Sequence, residues 1–164
     1  DRNMGVINLL IYSGLVKYPA PRVDHQVKDG EVVHLGPLTL TAHITPGHSP
    51  GCTSWSFPVR VGNRTWLAVN VGSLTVLPTA LLGQRYDARL QQEFRQSFAT
   101  LRQLPADIFL GSHAGFFDLH RKVAARDTAR NPVRPFLDRT GYLRYIEQAE
   151  KSLQAVTNEQ KSNR

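Results

Sequence analysis

Cysteine is almost absent, with Cys52 the sole example in 164 residues, which excludes a disulfide framework within the chain. Long apolar runs are missing too. The longest, Val6 to Val16, is interrupted by Asn8, Ser13 and Gly14 and is well short of the roughly 20 residues that span a bilayer. It does not read as a signal peptide either: it has only Arg2 ahead of it, no small-x-small cleavage site, and it runs into Tyr18-Pro19-Ala20-Pro21. No H-x-H, H-x-x-x-H or C-x-x-C occurs, so no contiguous metal motif is present. Repeats, low-complexity tracts and obvious linkers are also lacking. What is there is 41% hydrophobic residues spread along the length, enough to bury a core and to exclude disorder. Residues 1–164 read as one unit. An opening at Asp1 rather than Met is what a processed or partial chain shows.

The net charge of +7 raises a nucleic-acid reading. Its excess lies late, with fourteen basic against nine acidic residues over 83–164. The densest stretch, Arg121 to Arg144, holds seven basic residues broken by Asp127 and Asp138, spread out and without the aromatic-basic interleaving that stacks bases. A solvated basic surface near helix ends is the expectation, and no nucleic-acid partner or membrane is expected.

Turns punctuate the first 37 residues at Ser13-Gly14, Pro19-Ala20-Pro21, Asp29-Gly30 and Gly36-Pro37. Between the last two lies the short β-branched run Glu31 to Leu35. Leu38, Leu40, Ala42 and Ile44 then alternate with Thr39, Thr41 and His43, the period of a half-buried strand. Thr53 to Val59 and Thr65 to Val71 read as a hairpin through Gly62-Asn63. Leu90, Phe94, Phe98, Leu101 and Leu104 recur at helical spacing within Asp87 to Leu104, and Pro105 ends that helix. Asp107 to Gly111 is a short buried strand, and a helix starts near Phe116 to Leu119. A last helix spans about Asp138 to Val156, with Thr157 to Arg164 a frayed tail. The order β-β-β-α-β-α-α implies a layered α/β unit, half of a sheet-and-helix sandwich.

Among six histidines, His25, His34 and His120 fall in turn, edge-strand and polar-helix contexts and are expected at the surface, as is His43 on the polar face of its strand. His48 differs. It sits after a strand in Thr45-Pro46-Gly47-His48-Ser49-Pro50-Gly51, a stiff loop that lets backbone approach a bound group. His113 repeats that logic in Gly111-Ser112-His113-Ala114-Gly115, 65 positions on. Two strand-end imidazoles of this kind can converge as metal ligands, or stand as two loop-capping residues. Two histidines do not close a zinc site, which wants three protein ligands and an open position.

The run Leu40 to Trp55, with Thr45-Pro46-Gly47-His48 and Gly51-Cys52-Thr53-Ser54-Trp55, resembles the T-P-G-H-T-x-G motif of the metallo-β-lactamase superfamily, and in particular the third subclass of the class B β-lactamases. Gly111 to Leu119 is similar to that subclass's segment bearing its last zinc ligand. Gly72-Ser73-Leu74-Thr75, and Asn131-Pro132 through Asp138 to Glu147, also match. The resemblance covers roughly residues 15 to 156. It implies the C-terminal half of an αβ/βα sandwich, a mixed sheet flanked by helices, in a family that hydrolyses β-lactams with two zinc ions. By match, His48 serves the first zinc and His113 the second, Ser73 and Thr75 contact the substrate carboxylate, and no catalytic residue is assigned. Location would be periplasmic or secreted. Departures are as informative. The family's H/Q-x-H-x-D-H, source of four ligands, has no counterpart, since Asp24-His25 is the only Asp-His pair. The opening from Asp1 to Tyr18 matches poorly, and a tyrosine common after the serine segment is replaced near Pro78-Thr79-Ala80. The expectation is therefore a partial dizinc site, inactive alone, with the missing half as a partner. It leaves Leu38, Leu40 and Trp55 without the first sheet they would pack on, hence exposed apolar surface. A thioesterase or lactonase of the same superfamily is the alternative, and a non-enzymatic basic binding module a further one.

Overall fold

The computed structural model describes residues 22–77 and 86–162. The opening from Asp1 to Tyr18 and the replaced tyrosine near Pro78 lie outside them. Strands β1 (Val32–Leu35), β2 (Leu38–Ile44), β3 (Thr53–Val61) and β4 (Arg64–Val71) precede helix α1 (Ala88–Gln103). Strand β5 (Ile108–Gly111), α2 (Leu119–Thr128) and α3 (Arg139–Ser162) follow, with 3-10 turns at Ala114–Phe116 and Arg134–Phe136. The five strands form one sheet in the order β1-β2-β3-β4-β5. The first four are antiparallel and β5 runs parallel to β4, so the sheet is mixed and flanked by helices, as the resemblance implies. A parallel pair needs a crossover, and α1 supplies it.

Four strands, not three, precede α1. Three of the four β1 residues are exposed, so the ladder to β2, from Val32↔Thr41 to Leu35↔Leu38, makes this segment a strand where its own hydrophobic pattern does not. The last helix also runs past Val156 to Ser162. Thr157 continues the buried stripe of Ile146, Ala149 and Leu153, and a Gln154–Asn158 side-chain bond of 2.7 Å supports the extra turns. The polar tail therefore stays helical through residue 162.

Helices gather on the sheet face that carries Val69, Val71 and Phe109, where Phe94, Phe98, Leu101, Tyr142 and Ile146 complete the core. Helix α1 is capped by the Asp87 side chain, which accepts from the Leu90 amide at 2.8 Å. At its other end the Leu101 carbonyl accepts from the Leu104 amide at 3.1 Å and from the buried Tyr142 hydroxyl at 2.6 Å. The opposite sheet face presents Leu40, Ala42, Trp55, Phe57, Ala68 and Ile108, as the register requires. Leu40, Trp55 and Phe57 are only half-buried there, and Leu38 is 51% exposed.

Sequence reasoning places Lys122 on a solvated helix surface, but it is 2% exposed. Its ammonium lies 2.8 Å from Asp138 Oδ2 and over the rings of Phe109 and Phe117, at 5.5 and 5.6 Å from their centroids. It makes no well-aligned hydrogen bond, so charge and ring faces compensate it. Asp138 is fixed in turn by the Gly141 amide at 2.8 Å. Burial raises its carboxyl, but the adjacent Lys122 ammonium, that amide and Arg121 outweigh burial and hold it below the usual value. Arg121 and Arg126 pair with Asp118 and Asp127. Part of the basic stretch is thus neutralised by its own carboxylates. No helix among the described residues is long and apolar enough to cross a membrane.

Candidate metal centre

Register brings the candidate histidines to one end of the sheet. Ile44 pairs with Thr53, Trp55 with Asn70, and Val71 with Gly111. The end of β2, the start of β3 and the ends of β4 and β5 are therefore neighbours. His48 follows β2, Ser73 and Thr75 follow β4, and His113 follows β5.

The loop bearing His48 leaves the sheet at Thr45 and returns at Cys52, whose carbonyl accepts from the Thr45 amide at 2.8 Å. The buried Thr45 hydroxyl bonds to Ser54 Oγ at 2.9 Å. Helix α1 then pins the loop from behind. Ser97 Oγ donates to the Pro46 carbonyl at 2.6 Å, and the Phe94 ring packs against Gly47. Gly47 has φ +134°, and a Cβ there would lie 2.7 Å from Phe94 Cγ. Only glycine fits on both counts. His48 is half-buried, and its Nδ1 bonds to the Thr75 carbonyl at 2.9 Å. Since a carbonyl only accepts, Nδ1 carries a proton, and in the neutral ring Nε2 is the nitrogen with the lone pair. This is the arrangement by which a backbone carbonyl orients a metal-binding imidazole.

Ser73 to Thr75 form the middle of the site. Cys52 Sγ accepts from the Ser73 amide at 3.2 Å, and Tyr145 Oη accepts from the Leu74 amide at 3.3 Å. Ser73 Oγ accepts from the Thr75 amide at 3.3 Å, so its own hydroxyl proton remains available to a ligand. Gly72 admits the Cys52 sulfur, which would be 2.7 Å from a Cβ at that position. Ser112 Oγ donates to the Gly72 carbonyl at 2.5 Å, tying the β5 loop to the β4 loop. His113 itself is exposed and stands edge-on to Phe116, 4.9 Å between centroids.

The remaining histidines lie elsewhere in the sheet or on the surface. His25, His34 and His120 are exposed. His43 corrects its expectation: it is half-buried, Nε2 meets Ser56 Oγ at 2.8 Å, and burial lowers its basicity against the opposing Asp29 charge. Among the described residues, no group of three His, Cys, Asp or Glu side chains is placed to hold a metal ion. Cys52 and Tyr145 hold the Ser73–Leu74 backbone, a role that sequence reasoning does not identify. Their partners lie 21 and 71 positions away, and no local pattern signals such contacts.

No family model matches the chain. Solved structures do. The chain is similar to the native FEZ-1 metallo-β-lactamase of Legionella gormanii, at 34% identity and TM-score 0.82, over 93% of this chain and 58% of that one. It is similar to BJP-1, a subclass B3 metallo-β-lactamase of Bradyrhizobium japonicum, at 35% identity and TM-score 0.78, over 89% and 55%. A Cronobacter sakazakii metallo-β-lactamase matches at 32% identity and TM-score 0.76, over 88% and 56%. The chain thus spans little more than half the length of these relatives. At this identity and TM-score, with the mixed sheet reproduced, the chain resembles part of the metallo-β-lactamases, subclass B3 members among them.

Proposed function

We propose that the chain contributes the His48–Ser73–His113 end of a zinc-dependent β-lactam hydrolase site in a periplasmic or secreted protein. The observation that carries this reading is the His48 imidazole held through Nδ1 by the Thr75 carbonyl, with Nε2 free, at the sheet end that also bears His113. Neutral imidazole suits zinc, so the donors present fit in kind. Their number does not suffice, because zinc wants three protein ligands. His48 would serve one ion and His113 the other, and the H/Q-x-H-x-D-H set would complete both from outside this sequence. When bound, zinc lowers the pKa of water to about 7 and polarises a carbonyl oxygen.

The chain's own residues orient and bind. Thr75 presents its carbonyl to His48, which fixes the tautomer. The Ser73 hydroxyl, and less directly that of Thr75, would donate to a substrate carboxylate. The test has two arms. With added zinc, the 164-residue chain alone should not hydrolyse nitrocefin. Joined to the complementary part of the Legionella gormanii FEZ-1 enzyme, it should hydrolyse nitrocefin in a chelator-sensitive way. His48→Ala and His113→Ala should each cost more than the roughly 10–100-fold that loss of a supporting partner costs. Chelator-sensitive turnover by the chain alone, abolished by His48→Ala, would overturn the partial-site reading. Hydrolysis of acyl thioesters or lactones but not nitrocefin by the joined protein would favour another hydrolase of this fold.

A further inference from the structure

The geometry points to Tyr145 as a positioning residue shared by both histidines, its hydroxyl fixing the backbone that orients His48 and its ring supporting His113 through Phe116. This rests on the reading of His48 and His113 as metal ligands.

Tyr145 projects from α3, which carries none of the candidate ligands. Its oxygen accepts from the Leu74 amide at 3.3 Å. Leu74 lies between Ser73, whose amide is held by Cys52 Sγ at 3.2 Å, and Thr75, whose carbonyl takes the His48 proton at 2.9 Å. Three side chains, two from the β2–β3 loop and one from α3, therefore hold three successive residues, and Tyr145 grips the middle one. Leu74 is itself 1% exposed, so its amide finds no replacement partner in bulk water if the phenol is removed.

The ring of the same side chain acts in the other direction. It lies 5.0 Å from the Phe116 ring at 31° and 5.5 Å from the Phe109 ring at 36°. Phe116 in turn meets His113 edge-on at 4.9 Å and 73°. His113 has no cap bond from its own side chain and begins the 3-10 turn that Phe116 ends. Aromatic contact is thus the support its imidazole has among the described residues, and Tyr145 backs that contact. Burial pushes the phenol up to about 12, so the hydroxyl stays neutral at any working pH.

Two substitutions separate the hydroxyl from the ring. Tyr145→Phe removes the first and keeps the second, and Tyr145→Leu removes both. The readout is the imidazole NMR spectrum of the full, zinc-free chain at fixed pH, which stays legible whether or not zinc binds. Failure of the metal reading and failure of this inference are therefore distinguishable. In Tyr145→Phe, solvent exchange of the His48 Nδ1 proton should speed up about threefold or more, on the scale of one weakened neutral hydrogen bond. His113 should keep its ring-proton shifts. In Tyr145→Leu, His113 should also shift, as Phe116 loses its backing and the ring current over His113 changes. A general structural role would lower the melting temperature of both variants without this division. Unchanged His48 exchange in Tyr145→Phe, or unchanged His113 shifts in a folded Tyr145→Leu, would overturn the shared role.

Discussion

At one end of the sheet, β1–β2 and β3–β4 are joined by the two-residue turns Gly36-Pro37 and Gly62-Asn63, whose glycines have nothing within 4 Å of a notional Cβ. At the other end the connections are long and pinned. Gly47 is pressed by Phe94 and Gly72 by Cys52, while His48, Cys52, Ser112 and Tyr145 hydrogen-bond to Gly72 through Thr75. The same residue type thus does two jobs. At the turn end glycine relaxes the backbone, with Gly62 at φ +59° as the first residue of a two-residue hairpin turn. At the pinned end it makes room for side chains that hold a loop still. The proposed site would need that second end, because a site loose by about 1 Å loses much of its effect.

Substitution should separate the ends. Gly47→Ala meets both the Phe94 overlap and a φ of +134°, and should cost about 4 kcal/mol when overpacking and backbone strain combine. Chemical denaturation measures this, and a cost below about 1 kcal/mol would remove the distinction. Lys122→Ala tests what orders the helix layer behind β5 without such loops. It leaves Asp138 half-enclosed and unpaired, at about 3 kcal/mol, the low end for a broken buried pair because Asp138 keeps some solvent contact. Its pH dependence follows in sign. The Asp138 carboxyl is depressed in the folded state, so its contribution is complete above the ordinary value of 3.8 and is lost as pH falls through the lower folded value. The stability gap between the parent chain and Asp138→Asn should therefore close in acid and hold steady at neutral pH.

Smaller effects complete the order. Gly72→Ala should cost about 2 kcal/mol, since the sulfur at 2.7 Å and the Thr53 carbonyl at 2.9 Å must both give way. Gly62→Ala meets open space and only the left-handed φ, about 1 kcal/mol. Equal costs at Gly72 and Gly62 in parallel thermal melts would erase the contrast between a pinned and a free end.

Much of this was legible in residue order, and the exceptions have physical causes. Period two in Leu38 to Ile44 and period 3.6 in Leu90 to Leu104 announce β2 and α1, because half-buried elements must alternate at their own repeat. His48 and His113 stand out because stiff small-residue loops after buried strands are what a site requires. Position alone leaves their arrival at one end open and only the resemblance implies it, since it depends on β5 pairing parallel to β4. Strand β1 escapes because its stability comes from a partner. Lys122 escapes because its burial is compensated by Asp138, sixteen positions away, and by two rings. Tyr145 and Cys52 look like ordinary helix-face and strand-entry residues until the loops close over them.

The central claim, that His48 and His113 each complete one zinc position, is tested most directly by zinc stoichiometry in the joined protein. Equilibrium dialysis with metal analysis should find two zinc ions per chain, about one after His48→Ala or His113→Ala, and two still after His34→Ala or His120→Ala. Two zinc ions retained by His48→Ala or by His113→Ala would contradict it.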